Sequence, residues 1–397
     1  MGHSLMIAAA LLSLGAWIGL AFLRGGFWRA RVDAHLDAPR ASLDTIRVEA
    51  VIPARDEAGF IARTFRSVVE QDFSGALHVT LVDDHSVDGT AAAAQTALAT
   101  AQHAQRATIV AARALRAGWT GKLNALQSGL ETVLAGRPAP DFWLFTDADI
   151  EHETGNLAAL VAVAQRDQLD LVSSMAHLNC TTLWERLLVP AFVFFFAKLY
   201  PFAWSNDPRR ATAAAAGGCI LLTNSALERI GGFSAIGDRL IDDCALAAAV
   251  KKSGGRTRLG LTNRACSIRR YAALGELWAM VKRSAFTQLD HSYSLLALTV
   301  AGMALLYIVP PLLTVDGLLA NDPKLEIVAS LAWLLSALLY LPTLRVYGRP
   351  ATAAFALPLA AVLYSVMTVD SALAYARGRG GVWKGRADAA KGALEST

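Results

Sequence analysis

Charge is scarce in this chain, and cysteine scarcer. Only 18% of the 397 residues are Asp, Glu, Lys or Arg, the net charge is +4, and there are four cysteines. So even a balance argues against a nucleic-acid partner, because the basic residues gather beside apolar spans rather than in an aromatic-interleaved stripe. Cys180, Cys219, Cys244 and Cys266 show no paired metal-ligand spacing. Reduced thiols in a cytosolic domain are the expected state. No internal repeat recurs, so a solenoid is excluded. What the chain has in plenty is apolar surface: 54% of it is hydrophobic and the mean hydropathy is +0.38. That is too apolar for an ordinary soluble domain and too polar for a protein embedded throughout in a bilayer.

The apolar excess lies at the two ends. Leu5 to Leu23 is an unbroken apolar span, long enough to cross a bilayer. No basic residue precedes it, whereas Arg24, Arg29 and Arg31 follow. Those flanks favour an uncleaved anchor over a signal peptide, with the following chain in the cytosol. Three more apolar spans come late: Tyr293–Leu319, Ile327–Tyr347 and Ala351–Tyr375. Asp322 and Glu326 suit the outer side; Arg345 and Arg349 suit the inner side. The tail carries Arg377, Arg379, Lys384, Arg386 and Lys391 and should also lie inside. Those two inner assignments conflict if Ala351–Tyr375 crosses once. Pro358 and Asp370 make it a poor simple span, so a hairpin or an interfacial helix is the expectation.

Between the ends, strand-like and helix-like segments alternate, as a Rossmann-like, mostly parallel α/β sheet requires. Val48–Ile52 reads as a first strand stopped by Pro53, His78–Val82 as a second and Thr108–Ala111 as a third. Asn124–Leu134 is helical, and Phe142–Phe145 is an apolar buried strand. The division expected is an anchor over 1–24, the α/β domain over 45–270, an interfacial helix over 271–292, membrane spans over 293–376 and a basic cytosolic tail over 377–397.

Phe142–Phe145 delivers Asp147-Ala148-Asp149 to a strand end, where ligands of open α/β sheets collect. Two carboxylates so close repel unless a cation lies by them. Hard divalent ions suit them, since magnesium takes one or two carboxylates plus substrate phosphates. Strand two ends in Asp83-Asp84, followed by Ser86, Asp88, Gly89 and Thr90. Asp88 or Ser86 reads as a helix N-cap; Asp84 is not explained that way, and an acid after a second strand can accept from a ribose hydroxyl or a base N–H. Gly118-Trp119-Thr120-Gly121-Lys122 leads into a helix, where backbone N–H groups and Lys122 suit a diphosphate. The Walker spacing is absent, and a plain surface lysine is the alternative. Gly217-Gly218-Cys219 permits close approach of a ligand or of another backbone. Asp242-Asp243 opens a helix, as dipole-stabilising acids or with one of them as a base. Trp184–Trp204, rich in Phe and interrupted by Pro190, suits either the interface or a buried core.

Taken in order, Val51-Ile52-Pro53-Ala54-Arg55-Asp56-Glu57, Asp83–Thr90, Gly121-Lys122, Asp147-Ala148-Asp149, Gly217-Gly218-Cys219 and Asp242-Asp243 resemble family 2 glycosyltransferases of the GT-A fold. The layout of anchor, cytosolic domain and late spans, with Trp383-Lys384-Gly385-Arg386 in the tail, is similar to the ceramide glucosyltransferase branch and most of all to the hopanoid-biosynthesis-associated branch. The resemblance implies that Pro53, Glu57, Asp84 and Lys122 hold the nucleotide and that Asp147 and Asp149 bind Mg2+ or Mn2+. It implies Asp243 as catalytic base, with Asp242 standing where the family has glutamate. It also implies a nucleotide-sugar donor, a lipid acceptor and a multi-pass place in a bacterial-type inner membrane, and names no protein partner. Processive members carry Gln-(Gln/Arg)-x-Arg-Trp after the catalytic acid. This chain has Lys282-Arg283-Ser284-Ala285-Phe286 there. Arg283 retains a diphosphate role in that comparison, and the missing Arg-Trp argues against polymer synthesis. The rival readings are a nucleotidyltransferase of similar fold, which has no need of Asp243, and a catalytically silent membrane scaffold. A phosphatase with Asp147 as nucleophile is disfavoured by Glu151 in place of the expected threonine.

Overall fold

The computed structural model describes residues 2–34 and 43–378, and the backbone of 382–383 and 386–387. Eight strands make one mixed sheet: β1 (Arg47–Ala54), β2 (Ala76–Asp83), β3 (Ala107–Ala111), β4 (Phe142–Thr146), β5 (Ile150–His152), β6 (Leu171–His177), β7 (Cys219–Thr223) and β8 (Thr257–Ser267). Their order is β3-β2-β1-β4-β7-β6-β8-β5. The first four run parallel. β7 is antiparallel to both β4 and β6, β8 is parallel to β6, and β5 closes the edge antiparallel to β8.

Successive residues of a strand face opposite sides of a sheet, and here both sides are covered. Phe142 and Leu144 of β4 join the core that includes Ile52, Phe65 and Leu160. Trp143 and Phe145 join the other, with Leu123, Leu130 and Phe233. Such two-sided burial is why β4 reads as a continuous apolar run rather than an alternating one. Helix Gly121–Gly136 lies so close to β1 that a Cβ on Gly129 would sit 2.6 Å from Val51 Cγ1.

β1 does not stop at Pro53, as its sequence suggests, but continues to Ala54. The ladder to β4 ends at Val51–Phe145, whereas that to β2 runs on to Ala54–Asp83. Pro53 therefore falls where β1 has a partner on one side alone, and its missing N–H breaks no bond on the other.

The sheet unit is drawn from Val32–Asn179, Trp204–Arg269 and Gly381–Thr397. A second unit is drawn from Met1–Arg31, Cys180–Ala203 and Arg270–Gly380. The stretch expected as one domain over 45–270 is thus interrupted at 180–203. Among the described residues, the second unit contains four helices long and apolar enough to cross a membrane: Gly2–Leu23, Tyr293–Leu319, Pro323–Val346 and Ala351–Ala376. Leu5, Phe22, Leu298 and Leu319 stand exposed on them.

The last span is not a hairpin. A 3-10 turn over Ala351–Ala356 runs straight into helix Leu357–Ala376. Pro358 occupies its first turn, where an absent N–H costs nothing. Asp370 accepts a 2.8 Å bond from Trp278 Nε1 and pairs with Lys282 Nζ at 2.8 Å, so its charge is answered. Helix Leu183–Leu199 likewise runs through Pro190. It opens with a capping box between Thr182 and Glu185, and its Phe194 and Phe195 pack on Tyr340, Tyr307 and Tyr364; packing on this scale tolerates one lost backbone bond. Helix Leu274–Ser284 occupies the expected interfacial segment. In the tail, Arg379, Lys384, Gly385 and Lys391 lie outside the described residues. Trp383 and Arg386 belong to two short antiparallel strands, β9 (Val382–Trp383) and β10 (Arg386–Ala387).

Candidate active site

The parallel half of the sheet ends at a pocket lined by Pro53, Lys122, Asp147, Asp242 and Asp243. Each arrives on a different element. Asp147 follows β4, Lys122 sits in the first turn of Gly121–Gly136, and the acid pair opens helix Asp242–Lys252. The Thr120 hydroxyl caps the lysine's helix by accepting from the Leu123 amide. Lys122 Nζ lies 2.9 Å from Asp147 Oδ1 and 3.1 Å from Asp242 Oδ2. Burial works against its charge, but Asp147, Asp242 and Asp243 outweigh that and hold the ammonium well above the usual lysine range.

Asp243 is held from two sides. Gly217 N–H donates to Oδ2 at 2.8 Å and Cys244 N–H donates to Oδ1 at 2.7 Å. Burial, then the Asp242 carboxylate, pushes Asp243 up to about 6 against the pull of Lys122 and the two amides. A carboxylate near that value is suited to general-base work at neutral pH. A Cβ on Gly217 would stand 3.0 Å from Lys122 Nζ and 3.5 Å from Asp243 Oδ2. A side chain there would crowd the lysine ammonium, which a residue without one leaves in place.

The other expected residues are placed differently. Asp149 does not line this pocket; its Oδ2 accepts from Arg269 Nε at 2.6 Å. The same guanidinium donates from Nη2 to both Glu57 oxygens, at 2.8 and 2.6 Å. Glu57 is thus bound to Arg269, and its amide donates to Thr90 Oγ1 at 2.7 Å. Asp84 is fully buried, with Arg55 Nη1 3.5 Å from its Oδ2 and 2.5 Å from its carbonyl. The N-cap expected at Asp88 or Ser86 falls instead on Gly89, in the left-handed region and with no side-chain cap, while Asp88 Oδ1 closes the turn just before it by accepting from the Thr90 amide at 3.0 Å. Arg283 lies on helix Leu274–Ser284 in the other unit.

Two elements of the site carry no sequence motif. One is Arg269, just past β8. The other is a buried chain of hydrogen bonds behind Asp147. Asn156 Nδ2 donates to His152 Nδ1 at 2.8 Å, so Nε2 carries the proton and donates to Thr146 Oγ1 at 2.8 Å. Thr146 in turn donates to the Gly218 carbonyl at 2.8 Å. Burial pushes His152 down to about 4, so the ring is neutral. The side chains of this network end β4, end β5 and open helix Asn156–Arg166, so no local pattern announces them.

Among the described residues, no three Asp, Glu, His or Cys side chains converge as a metal-binding set. Asp147 and Asp149 supply carboxylate oxygens, which suit Mg2+ or Mn2+, and a side chain as exposed as Asp147 (35%) is accessible to an ion. Such an ion takes its remaining oxygens from water and a diphosphate. The donor chemistry therefore fits.

Comparison with known proteins agrees with this architecture. Residues 56–387 match the sequence profile of Glycosyl transferase family 21, where the motif order alone had suggested family 2. No curated protein matches the chain. Among solved structures, the mannosyltransferase PcManGT of Pyrobaculum calidifontis, in complex with GDP-Man and Mn2+, is 19% identical, covers 92% of this chain and 99% of its own, and superposes with a TM-score of 0.53. Mannosyl-3-phosphoglycerate synthase of Rubrobacter xylanophilus is 17% identical over 68% of this chain and 80% of its own, with a TM-score of 0.38. The fold is thereby GT-A, a mixed sheet with parallel strands, accompanied by four candidate spans.

Proposed function

The chain belongs to glycosyl transferase family 21, and on that premise we propose that it transfers a sugar from a nucleotide-sugar to a membrane lipid hydroxyl with inversion at the anomeric carbon. The observation that carries the reading is the placement of Asp243, raised to about 6, in one pocket with Lys122 and Asp147. As the acceptor oxygen forms its bond to the anomeric carbon, Asp243 takes the hydroxyl proton. The bond from that carbon to the diphosphate breaks, and Lys122 offers positive charge to the departing oxygen. Pro53, Glu57 and Asp84 complete the donor site in this reading. A divalent ion held by Asp147 and Asp149 would supply further charge against the diphosphate.

Two features support a lipid acceptor. Four candidate spans belong to the chain, and the Phe-rich helix Leu183–Leu199 groups with them. The motif order and tail favour a hopanoid or another polycyclic or isoprenoid lipid, with a UDP-linked donor. The sheet unit then faces the cytosol of a bacterial-type inner membrane, since nucleotide-sugars are made there and Arg24, Arg29 and Arg31 follow the first span. A cysteine introduced at Gln102 should escape a membrane-impermeant thiol reagent added to intact cells; modification there would reverse the orientation.

The decisive experiment incubates purified protein with a panel of nucleotide-sugars and membrane lipid extract, read by mass spectrometry. A lipid that gains one hexose mass in the presence of a divalent ion is the expected product. Release of sugar-1-phosphate with no glycolipid would point to nucleotidyl transfer instead.

A further inference from the structure

Arg269 ties together two acids that come from distant parts of the chain. Glu57 follows β1 and Asp149 follows β4, and one guanidinium holds both through three hydrogen bonds of 2.6 to 2.8 Å. Its carbon lies 4.7 Å from the centre of the Phe60 ring. The backbone beside it is fixed as well, with Ile268 N–H donating to the Asp149 carbonyl at 2.9 Å. All three side chains are mostly shielded, at 24% exposure for Arg269, 9% for Glu57 and 18% for Asp149, so solvent screens the contact weakly.

We propose that Arg269 is the resident counter-cation of the Asp149 half of the metal site, and that it makes ion binding depend on the nucleoside diphosphate. This rests on the donor-site reading above. Two cations at bonding distance from the same Asp149 oxygen repel strongly, even in a surface-like dielectric. Asp147 is shared in the same way, with Lys122 Nζ 2.9 Å from its Oδ1. An ion that arrives alone at Oδ2 therefore has to displace the Arg269 Nε–H that donates there. An ion that arrives with a diphosphate brings phosphate oxygens, which match the planar fork of arginine. Arg269 then exchanges Asp149 for phosphate and keeps Glu57. The coupling is reciprocal, so the ion raises nucleotide affinity by the same factor. Arg269 is a positioning residue in this scheme; its task is to withhold Asp149 from the ion until the donor is present.

The test is a Mn2+ titration of the detergent-purified full chain followed by electron paramagnetic resonance, with and without UDP, and with GDP in parallel. Wild-type protein should bind Mn2+ at least about tenfold more tightly with the nucleotide than without. Arg269→Gln should bind Mn2+ alone at least about tenfold more tightly than wild type, because one charge beside the ligand is gone, and should gain little from nucleotide. Arg269→Lys, which keeps the charge but loses the fork, should fall between them and protects the test if the glutamine variant fails to fold. Mn2+ affinities of both variants equal to or weaker than that of wild type, with Asp149→Asn abolishing binding, would overturn the assignment. These titrations involve no turnover. A protein that transfers no sugar would overturn the reaction proposed above while the Mn2+ affinities still decide the role of Arg269.

Discussion

Thr146 and Gly218 are joined across the β4–β7 boundary by a 2.8 Å hydrogen bond from the threonine hydroxyl to the glycine carbonyl. The bond links the residue before Asp147 to the residue after Gly217, whose amide holds Asp243. Asp147 and Asp243 are therefore registered through backbone, and His152 completes the arrangement by donating to the same hydroxyl.

Replacing that hydroxyl by a methyl should be costly. Thr146→Val leaves the Gly218 carbonyl and His152 Nε2–H without their partner in a buried setting. Each orphan costs about 1–3 kcal/mol, so thermal melting should shift down by several degrees. Thr146→Ser should restore the midpoint. A valine variant that melts with wild type would show that the chain of bonds is not needed.

Asp243→Asn keeps the side-chain shape and removes the base. Turnover should fall by about a hundredfold or more while donor affinity changes little. An acid that merely stabilised the helix start would predict otherwise, since asparagine serves helix N-termini about as well as aspartate. Turnover, donor titration and melting on a single preparation separate the two, and wild-type turnover would pass the role to Asp242.

The pH profile carries its own sign. A base raised to about 6 loses activity as pH falls through that value, by about tenfold per unit well below it. Asp242→Asn removes a neighbouring charge that raises Asp243, so the acidic limb should move to lower pH. The same elevation acts on stability: the folded state holds this proton more tightly, so the stabilisation from Asp243 is present below about 4 and is lost as pH rises through about 6. His152, pushed down to about 4, acts oppositely and destabilises the fold as pH falls from about 6.5. An acidic limb that stays fixed in Asp242→Asn would remove that carboxylate from the environment of the base.

Strands β1 to β4 were legible because parallel, doubly covered strands read as short apolar runs between turn residues. Asp147 and Lys122 were legible for the same reason, since they sit where such runs end or helices begin. Asp149 and Glu57 were recognised as acids, but not their partner. Arg269 follows β8 more than a hundred residues after Asp149, and only the β8–β5 pairing brings it beside that acid. Antiparallel β7 between β4 and β6 was equally silent, because strand order is decided by long-range pairing that local patterns do not encode. Pro53 and Pro190 were read too strictly, as breakers, because the partner that makes each proline harmless is absent from the local sequence.

The excursion of Cys180–Ala203 out of the sheet unit has a consequence for biosynthesis. β6 leaves the ribosome first, then the Phe-rich helix Leu183–Leu199, and only afterwards β7, the strand that pairs directly with β6. Tyr307, Tyr340 and Tyr364, on which Phe194 and Phe195 pack, are made later still. For that interval the nascent apolar helix has Phe27 to pack against Phe194 but none of these three tyrosines, and the middle of the sheet waits on its fate. Trimming both ends of the chain would leave this helix behind as an adhesive surface, so a soluble catalytic fragment requires a short linker across 180–203 as well.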